Sequence, residues 1–143
     1  MESKWSHWTY EDEDYEMARA WTQAHGREFV PAKWLPRTGF IIVYNQEPVL
    51  MFWVYFEISC PVAFIDWVIS RPKSPHRLVR QALVYAVFKG PLPKVMIEHG
   101  AEVVWTRSPT PFVRTMVKYG WAVDDTPLYS MQCVYGKEEP LGL

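Results

Sequence analysis

Three runs of β-branched and aromatic residues follow one another closely in the middle of the chain: Phe40–Tyr44, Val49–Ile58 and Val62–Ser70. Short segments of turn-forming residues connect them, Asn45 to Pro48 and Ser59 to Pro61. Strands joined by such short connections usually pair with each other. The sequence therefore predicts an antiparallel meander of three strands, and the rest of the chain has to pack around it.

Helical patterns lie on both sides of the meander. Before it, the acidic run Glu11–Asp14 has the charge that favours a helix N-terminus. Apolar residues then recur at the spacing of one helical face, which predicts a core-facing stripe of Met17, Ala20, Trp21 and Ala24. After the meander, Ser74 and Pro75 are predicted to be the N-cap and the first residue of a second helix.

Shorter elements complete the predicted order. We expect strands at Trp5–Tyr10, Glu102–Thr106 and Tyr129–Tyr135, a short helical segment at Lys94–His99, and a further helix starting at Thr110. The order is β-α-β-β-β-α-β-α-β, which predicts a fold of the α/β (α+β) class with a mixed, mainly antiparallel sheet flanked by helices. A chain of 143 residues has the size of one domain, so we expect a single domain over residues 1–143 with a frayed tail at 136–143.

Composition narrows the classes of function. With 15 basic and 16 acidic residues the net charge is −1, which argues against a nucleic-acid partner because such proteins are usually basic. The longest apolar run, Val49–Phe56, is far shorter than the roughly 20 residues that span a bilayer. Two cysteines make neither a disulfide framework nor a zinc site, so Cys60 and Cys133 are predicted to be packing residues. We expect a cytoplasmic protein without membrane contact, either a monomer or a homodimer.

Three motifs, read in order, carry a family resemblance. Leu35-Pro36 with Gly39 precedes a strand, Ile65 to Pro72 forms a strand that runs into a basic loop, and Thr106 to Ser108 precedes a helix that ends in Tyr119-Gly120-Trp121. Their order and spacing over residues 5–135 resemble the GCN5-related N-acetyltransferase (GNAT) superfamily. The short, aromatic-rich form is most similar to small GNAT-like proteins of bacteriophages, which would place the protein in the host cytoplasm. The resemblance implies an acyl-CoA-dependent N-acetyltransferase, with acetyl-CoA as cofactor and an amine of unknown identity as substrate.

The sequence departs from the family pattern at two places. In catalytic members the loop after the fourth strand reads [QR]-x-x-G-x-[GA], and its glycines let backbone N–H groups approach the CoA pyrophosphate. Here Pro75–Arg80 align with this loop, and Leu78 and Arg80 occupy the glycine positions. Met116 stands where many members carry a tyrosine that protonates the departing thiolate. We therefore expect phosphates to be held by side chains rather than by a backbone cradle.

The resemblance implies a set of cofactor-binding residues around the end of the fourth strand. Backbone groups of Val68 and Ser70 would line the pantetheine arm of acyl-CoA. The basic residues at the predicted helix start would meet its phosphates: Arg71, Lys73, His76, Arg77 and Arg80. The alternative interpretation is that these basic side chains form an ordinary solvated helix face.

Two strand carboxylates are candidates for the catalytic base that takes a proton from the amine. Asp66 lies within an apolar strand, where an acid is costly to bury unless it is paired. Glu57, near the end of the preceding strand, is a candidate of the same kind. The alternative is that strand alternation places both carboxylates on a solvated face.

A second hypothesis for function remains open at this point. A catalytically inactive GNAT-like protein that binds a protein partner would also fit the altered loop, Met116 and the 8 tryptophans, because Trp is enriched in protein–protein hot spots. This hypothesis predicts a sheet cleft filled by side chains and a sizeable exposed aromatic patch.

Overall fold

The structure of the protein is a computed structural model, which describes residues 4–107, 116–118 and 120–123. The strands are β1 (Trp5–Thr9), β2 (Gly39–Tyr44), β3 (Glu47–Phe56), β4 (Val62–Ser70) and β5 (Val103–Thr106). The helices are α1 (Tyr15–Ala24), α2 (His76–Val84), which continues into a π-helical turn at Tyr85–Lys89, and α3 (Pro91–Glu98). Within these described residues, no helix combines the length and apolar character needed to cross a membrane.

The five strands form one sheet in the order β1-β2-β3-β4-β5. The first four strands pair antiparallel, and β5 pairs parallel with β4. The predicted meander and the predicted class, a mixed and mainly antiparallel sheet flanked by helices, are confirmed. The predicted strand Tyr129–Tyr135 and the predicted helix start at Thr110 lie outside the described residues, whereas residues 116–118 are helical.

A two-residue turn sets the register between β2 and β3. Asn45 and Gln46 both have positive φ values, 50° and 67°, as a tight hairpin of the primed type requires. The predicted four-residue connection is therefore shorter than expected, and β3 starts at Glu47. Asparagine tolerates this conformation better than most residues, which explains its place in the turn.

Alternate strand residues build two cores, one on each face of the sheet. On the face that carries α2 and α3, strand residues such as Leu50, Phe52 and Ile65 pack with helix residues such as Val79 and Ala82. On the face that carries α1, a second set packs with that helix: Ile41, Val43, Met51, Trp53 and Ile69 against Ala18 and Trp21.

The buried face of α1 differs from the predicted stripe. Trp21 is buried as expected, but Ala20 and Ala24 are exposed, and Ala18 and Thr22 are buried instead. The Thr22 hydroxyl donates a hydrogen bond of 2.8 Å to the Ala18 carbonyl. Because this bond satisfies the buried hydroxyl, Thr22 can face the core, whereas the sequence pattern predicted Ala20 and Ala24 on that face.

The predicted start of the third helical segment was also wrong. The sequence predicts that this segment begins at Lys94, yet α3 begins at Pro91 and includes Pro93 in its first turn. Proline is well tolerated in the first turn of a helix, because its missing N–H would have no partner there.

Gly39 allows close packing at the point where β2 meets the core of the α1 face. A Cβ atom at Gly39 would lie 2.6 Å from Cδ1 and Nε1 of Trp53, which is fully buried. We expect Gly39→Ala to lower the free energy of unfolding by about 1–3 kcal/mol, the usual effect of overpacking a core. Chemical denaturation measures this change.

A second variant separates the clash from other effects of the substitution. Because Trp53→Phe shrinks the ring, the double variant G39A/W53F should lose less stability than the sum of the two single losses. Simple additivity would contradict the proposed contact.

Candidate functional site

β4 and β5 stay paired over only four positions, from Val62↔Val103 to Ile65↔Thr106. On its other side, β4 carries an extra residue relative to β3, since Trp53 pairs with Asp66 but Met51 pairs with Ile69. Trp67 lies in this bulge with a φ of 57°, which is rare for a bulky residue. A bulge bends its strand, and the bend coincides with the place where β4 leaves β5.

A cavity of about 340 Å³ lies at this divergence. Its volume is within the range of small-molecule sites in proteins, roughly 300–1,000 Å³. Residues of both sheet faces line it, including Phe52 and Val79 from the α2 face and Ile69 from the α1 face. The opening between the strands therefore connects the two sides of the sheet.

The polar part of the cavity lining is strongly basic. Six basic residues contribute to it: His25, Arg27, Arg71, Lys73, His76 and Arg107. None of the described lining residues is acidic. Arg71 forms an ion pair with Glu47, but this pair is exposed to solvent and long, with 3.8 Å between the nitrogen and the oxygen. A positive potential in a cleft favours an anionic ligand.

The loop between β4 and α2 places polar groups at the cavity in a way that differs from the sequence prediction. Pro75, with ψ of 139°, is the N-cap residue and α2 begins at His76, so Ser74 is not the cap. Instead, the Ser74 hydroxyl is buried at the cavity and has no hydrogen-bond partner among the described residues. Lys73, with φ of 64°, turns the chain just before it.

The start of α2 presents backbone donors as well. Within the helix, the N–H groups of Leu78 and Val79 donate to the Pro75 carbonyl at 3.0 and 3.2 Å. The N–H groups of His76 and Arg77 precede these bonds, as expected for the first turn of any helix. His76 lines the cavity, so this end of α2 faces the site.

The predicted cofactor residues fall into two groups. Five of them line the cavity: Val68, Ser70, Arg71, Lys73 and His76. The Ser70 carbonyl accepts a hydrogen bond of 2.9 Å from His25 Nε2, which ties the end of α1 to the end of β4. Arg77 and Arg80 are exposed on α2 and do not line the cavity. Their contact with a phosphate stays a prediction.

Asp66 does not itself line the cavity, but it directly follows the last residue of β4 that pairs with β5, Ile65. One carboxylate oxygen accepts a hydrogen bond of 2.9 Å from the Trp67 N–H, and the other accepts one of 3.0 Å from Arg107. Arg107 itself lines the cavity, so the ion pair joins Asp66 to the site. The Asp66 side chain is 34% exposed and can be reached from solvent.

Glu57 occupies a different environment. It is exposed near the turn between β3 and β4, where its carboxylate accepts hydrogen bonds from the Ile58 N–H and the Ser59 hydroxyl, both at 3.2 Å. It does not line the cavity. The same turn corrects another expectation, because Cys60 is exposed rather than a packing residue.

Several lining residues were not predicted from the sequence. His25 and Arg27 follow α1, Arg107 follows β5, and Trp121 lies beyond the helical residues 116–118. Each is distant in sequence from the basic loop, and only the sheet topology brings them together. Met116, where the family tyrosine was expected, also lines the cavity.

Solved structures with a similar fold include acetyltransferases. They include a predicted acetyltransferase from Clostridium acetobutylicum with acetyl-CoA (TM-score 0.60, 13% identity, 89% of this chain and 96% of that chain). A GCN5-related N-acetyltransferase from Ralstonia eutropha has a TM-score of 0.57 at 11% identity, covering 89% of this chain and 98% of that one. N-acetylglutamate synthase from Neisseria gonorrhoeae, complexed with coenzyme A and L-arginine, has a TM-score of 0.62 at 10% identity, covering 89% of this chain and 30% of that one.

These similarities identify the fold. The chain has the fold of the GNAT superfamily, as the sequence motifs predicted. No family model matches the sequence, and no curated protein matches it either.

Proposed function

We propose that the protein binds acyl-CoA in the cavity between β4, β5 and α2 and transfers the acyl group to an amine. The observation that carries this proposal is the combination of an apolar cavity at the strand divergence with a basic rim free of described acidic residues. Acyl-CoA has the matching chemistry, since it joins a largely uncharged arm to a set of phosphates. Neighbours of the same fold crystallised with acetyl-CoA or coenzyme A support the proposal.

The residues present fit this ligand without a glycine loop. Arg71, Lys73 and His76 would hold the phosphates, together with the first backbone N–H groups of α2. The buried Ser74 hydroxyl lacks a described partner and would donate to a phosphate oxygen. Val68 and Ser70 would line the arm. Leu78 and Arg80 stand where catalytic family members carry glycines, so the phosphates lie further from the backbone, and affinity rests on charge and falls with added salt.

Bound acyl-CoA supplies a thioester whose acyl carbon forms a bond to the amine nitrogen as its bond to sulfur breaks, which yields an amide, a thiolate and one proton from the amine. Asp66 would accept that proton, and its ion pair with Arg107, which lines the cavity, supports this role. Met116 has no proton to donate to the thiolate. Asp66 is favoured over Glu57 as the catalytic base, because Asp66 pairs with the cavity residue Arg107 whereas Glu57 lies at an exposed turn.

A thiol-release assay tests the proposed reaction. The purified protein is incubated with acetyl-CoA and a panel of primary amines, and free thiol is measured against time with mass spectrometry of the amine product. We expect thiol release that depends on the amine, with equal amounts of thiol and acetylated amine. Release without any acetylated product, or none on any amine while acetyl-CoA binds, would contradict the transfer step.

A catalytically inactive protein that binds a protein partner is the second candidate. Exposed Phe64 and Trp105 favour it, because large apolar side chains on a surface are typical of interfaces. The same hypothesis predicts a cleft filled by side chains, whereas the described residues enclose a cavity of about 340 Å³. Recovery of a stoichiometric protein partner by a protein that does not bind acetyl-CoA would favour this candidate.

A further inference from the structure

A row of aromatic residues crosses three strands on the face of the sheet that carries α1. Tyr55 on β3 is the register partner of Phe64 on β4, and Phe64 is the partner of Trp105 on β5. Register partners on adjacent strands point to the same face, with Cβ atoms about 5 Å apart. Phe64 is 45% exposed and Trp105 is 58% exposed, so the row is open to solvent.

This row leads to the candidate base. Asp66 follows Phe64 by two residues in β4, so both side chains point to the same face. Arg107, its ion-pair partner, follows Trp105 by two residues at the end of β5. The aromatic row therefore ends beside the opening between β4 and β5, where the cavity lies.

Two more aromatic residues contact the row at Tyr55, Trp67 through its side chain and Trp34 through its backbone carbonyl. Trp67 Nε1 donates a hydrogen bond of 2.6 Å to the Tyr55 hydroxyl, which donates one of 3.1 Å to the Trp34 carbonyl. Trp67 also meets Phe29 edge-on, with ring centroids 6.4 Å apart. We name Trp34, Tyr55, Phe64, Trp67 and Trp105 the aromatic platform.

The hydrogen bond between Trp67 and Tyr55 holds these two side chains of the platform in place before a ligand arrives. Burial raises the pKa of Tyr55, the hydrogen bond from Trp67 opposes that rise, and the charge of Asp66 adds to it, so the phenol stays a neutral donor. Preorganised rings lose little freedom on binding, which favours recognition of a flat group.

The chemistry next to the platform suits an amine. A carboxylate can accept about four hydrogen bonds, and Asp66 accepts one each from Trp67 and Arg107 in the described structure. Acceptor positions therefore remain for an amine N–H. Aromatic faces attract an ammonium group and stack on flat rings. The basic cavity rim, by contrast, repels a second positive charge on the same substrate.

From this arrangement we propose that the acceptor substrate is a monoamine joined by a short linker to a flat aromatic ring, which lies on the aromatic platform while its amine reaches Asp66. This inference rests on the proposed function and names the substrate class of the same site. It makes Trp105 and Trp67 specificity-determining residues for the ring, whereas Asp66 acts on the amine.

Two amines of equal charge and linker length test the inference: 2-phenylethylamine and 2-cyclohexylethylamine, each assayed at saturating acetyl-CoA, with putrescine as a diamine. We expect kcat/KM for the aromatic amine to exceed that for the cyclohexyl amine about five- to tenfold, with putrescine lowest. Trp105→Ala should raise KM for 2-phenylethylamine about fivefold and remove the preference. The matched control is Trp8→Ala, since Trp8 is 42% exposed and lies on β1, the strand at the opposite edge of the sheet from β5.

The affinity for acetyl-CoA, measured separately, distinguishes failure of this inference from failure of the proposed function. If acetyl-CoA binds and is turned over but the two amines are used equally, or the diamine is preferred, the inference is overturned and the proposed function stands. Acetylation of protein lysines alone overturns it in the same way. If acetyl-CoA does not bind at all, the proposed function fails and this inference fails with it.

Discussion

Replacing Asp66 with asparagine is expected to lower kcat for acetyl transfer by about 10²- to 10⁴-fold, the usual contribution of a positioned general base. Asparagine keeps the size of the side chain and can still accept the hydrogen bond from the Trp67 N–H, whereas its NH2 group cannot accept the one from Arg107. It cannot take the proton of the attacking amine. We therefore expect the affinity for acetyl-CoA and the thermal midpoint to change little, while turnover measured by thiol release falls.

The second carboxylate provides the comparison. Glu57→Gln removes a charge of the same kind from the exposed turn between β3 and β4, outside the cavity lining. We expect a loss in kcat of less than about threefold, because an exposed turn carboxylate outside the site has no proton to take. A large loss for Glu57→Gln together with a small loss for Asp66→Asn would reverse the assignment of the base.

The double variant Arg71→Ala/Lys73→Ala is expected to weaken acetyl-CoA binding about 30- to 150-fold. Two charge-assisted contacts at a solvent-exposed rim are each worth about 1–1.5 kcal/mol, and this sum corresponds to the stated loss. The thermal midpoint should barely move, because the ion pair that Arg71 forms among the described residues, with Glu47, is long and exposed. Since Trp121 lines the cavity, titration of tryptophan emission with acetyl-CoA measures the affinity.

A second pair of basic residues on α2 serves as the matched control. Arg77→Ala/Arg80→Ala removes the same amount of charge a few residues away, from side chains that do not line the cavity. The sequence alone predicts a more than tenfold loss for this pair; the cavity geometry favours a larger loss for Arg71 and Lys73. If the α2 pair matters more, the phosphates lie along the exposed face of the helix.

The sheet could be predicted because its signals are local. β4 was predicted from Val62 to Ser70 and has those bounds, since turn residues limit its apolar run on one side and a basic loop on the other. The hairpin between β2 and β3 was predicted from its turn residues, although the turn proved to be two residues long. The order of elements then led to the correct fold class.

The site could be predicted only in part, because it depends on long-range geometry. The basic loop after β4 is visible in the sequence, but the bulge at Trp67, next to the point where β4 leaves β5, depends on the register with β3. His25 lies 45 residues before Ser70 in the sequence, and only the packing of α1 brings the two together. Ser74 was predicted as a cap, yet the extended Pro75 takes that place and leaves the Ser74 hydroxyl at the cavity.

The central claim is that the cavity binds acyl-CoA, and calorimetric titration of the wild-type protein with acetyl-CoA at two salt concentrations tests it most directly. The account predicts saturable binding of one ligand per chain that weakens as salt rises, because the basic rim rather than a glycine cradle holds the phosphates. Absence of binding at millimolar acetyl-CoA and low salt would contradict it.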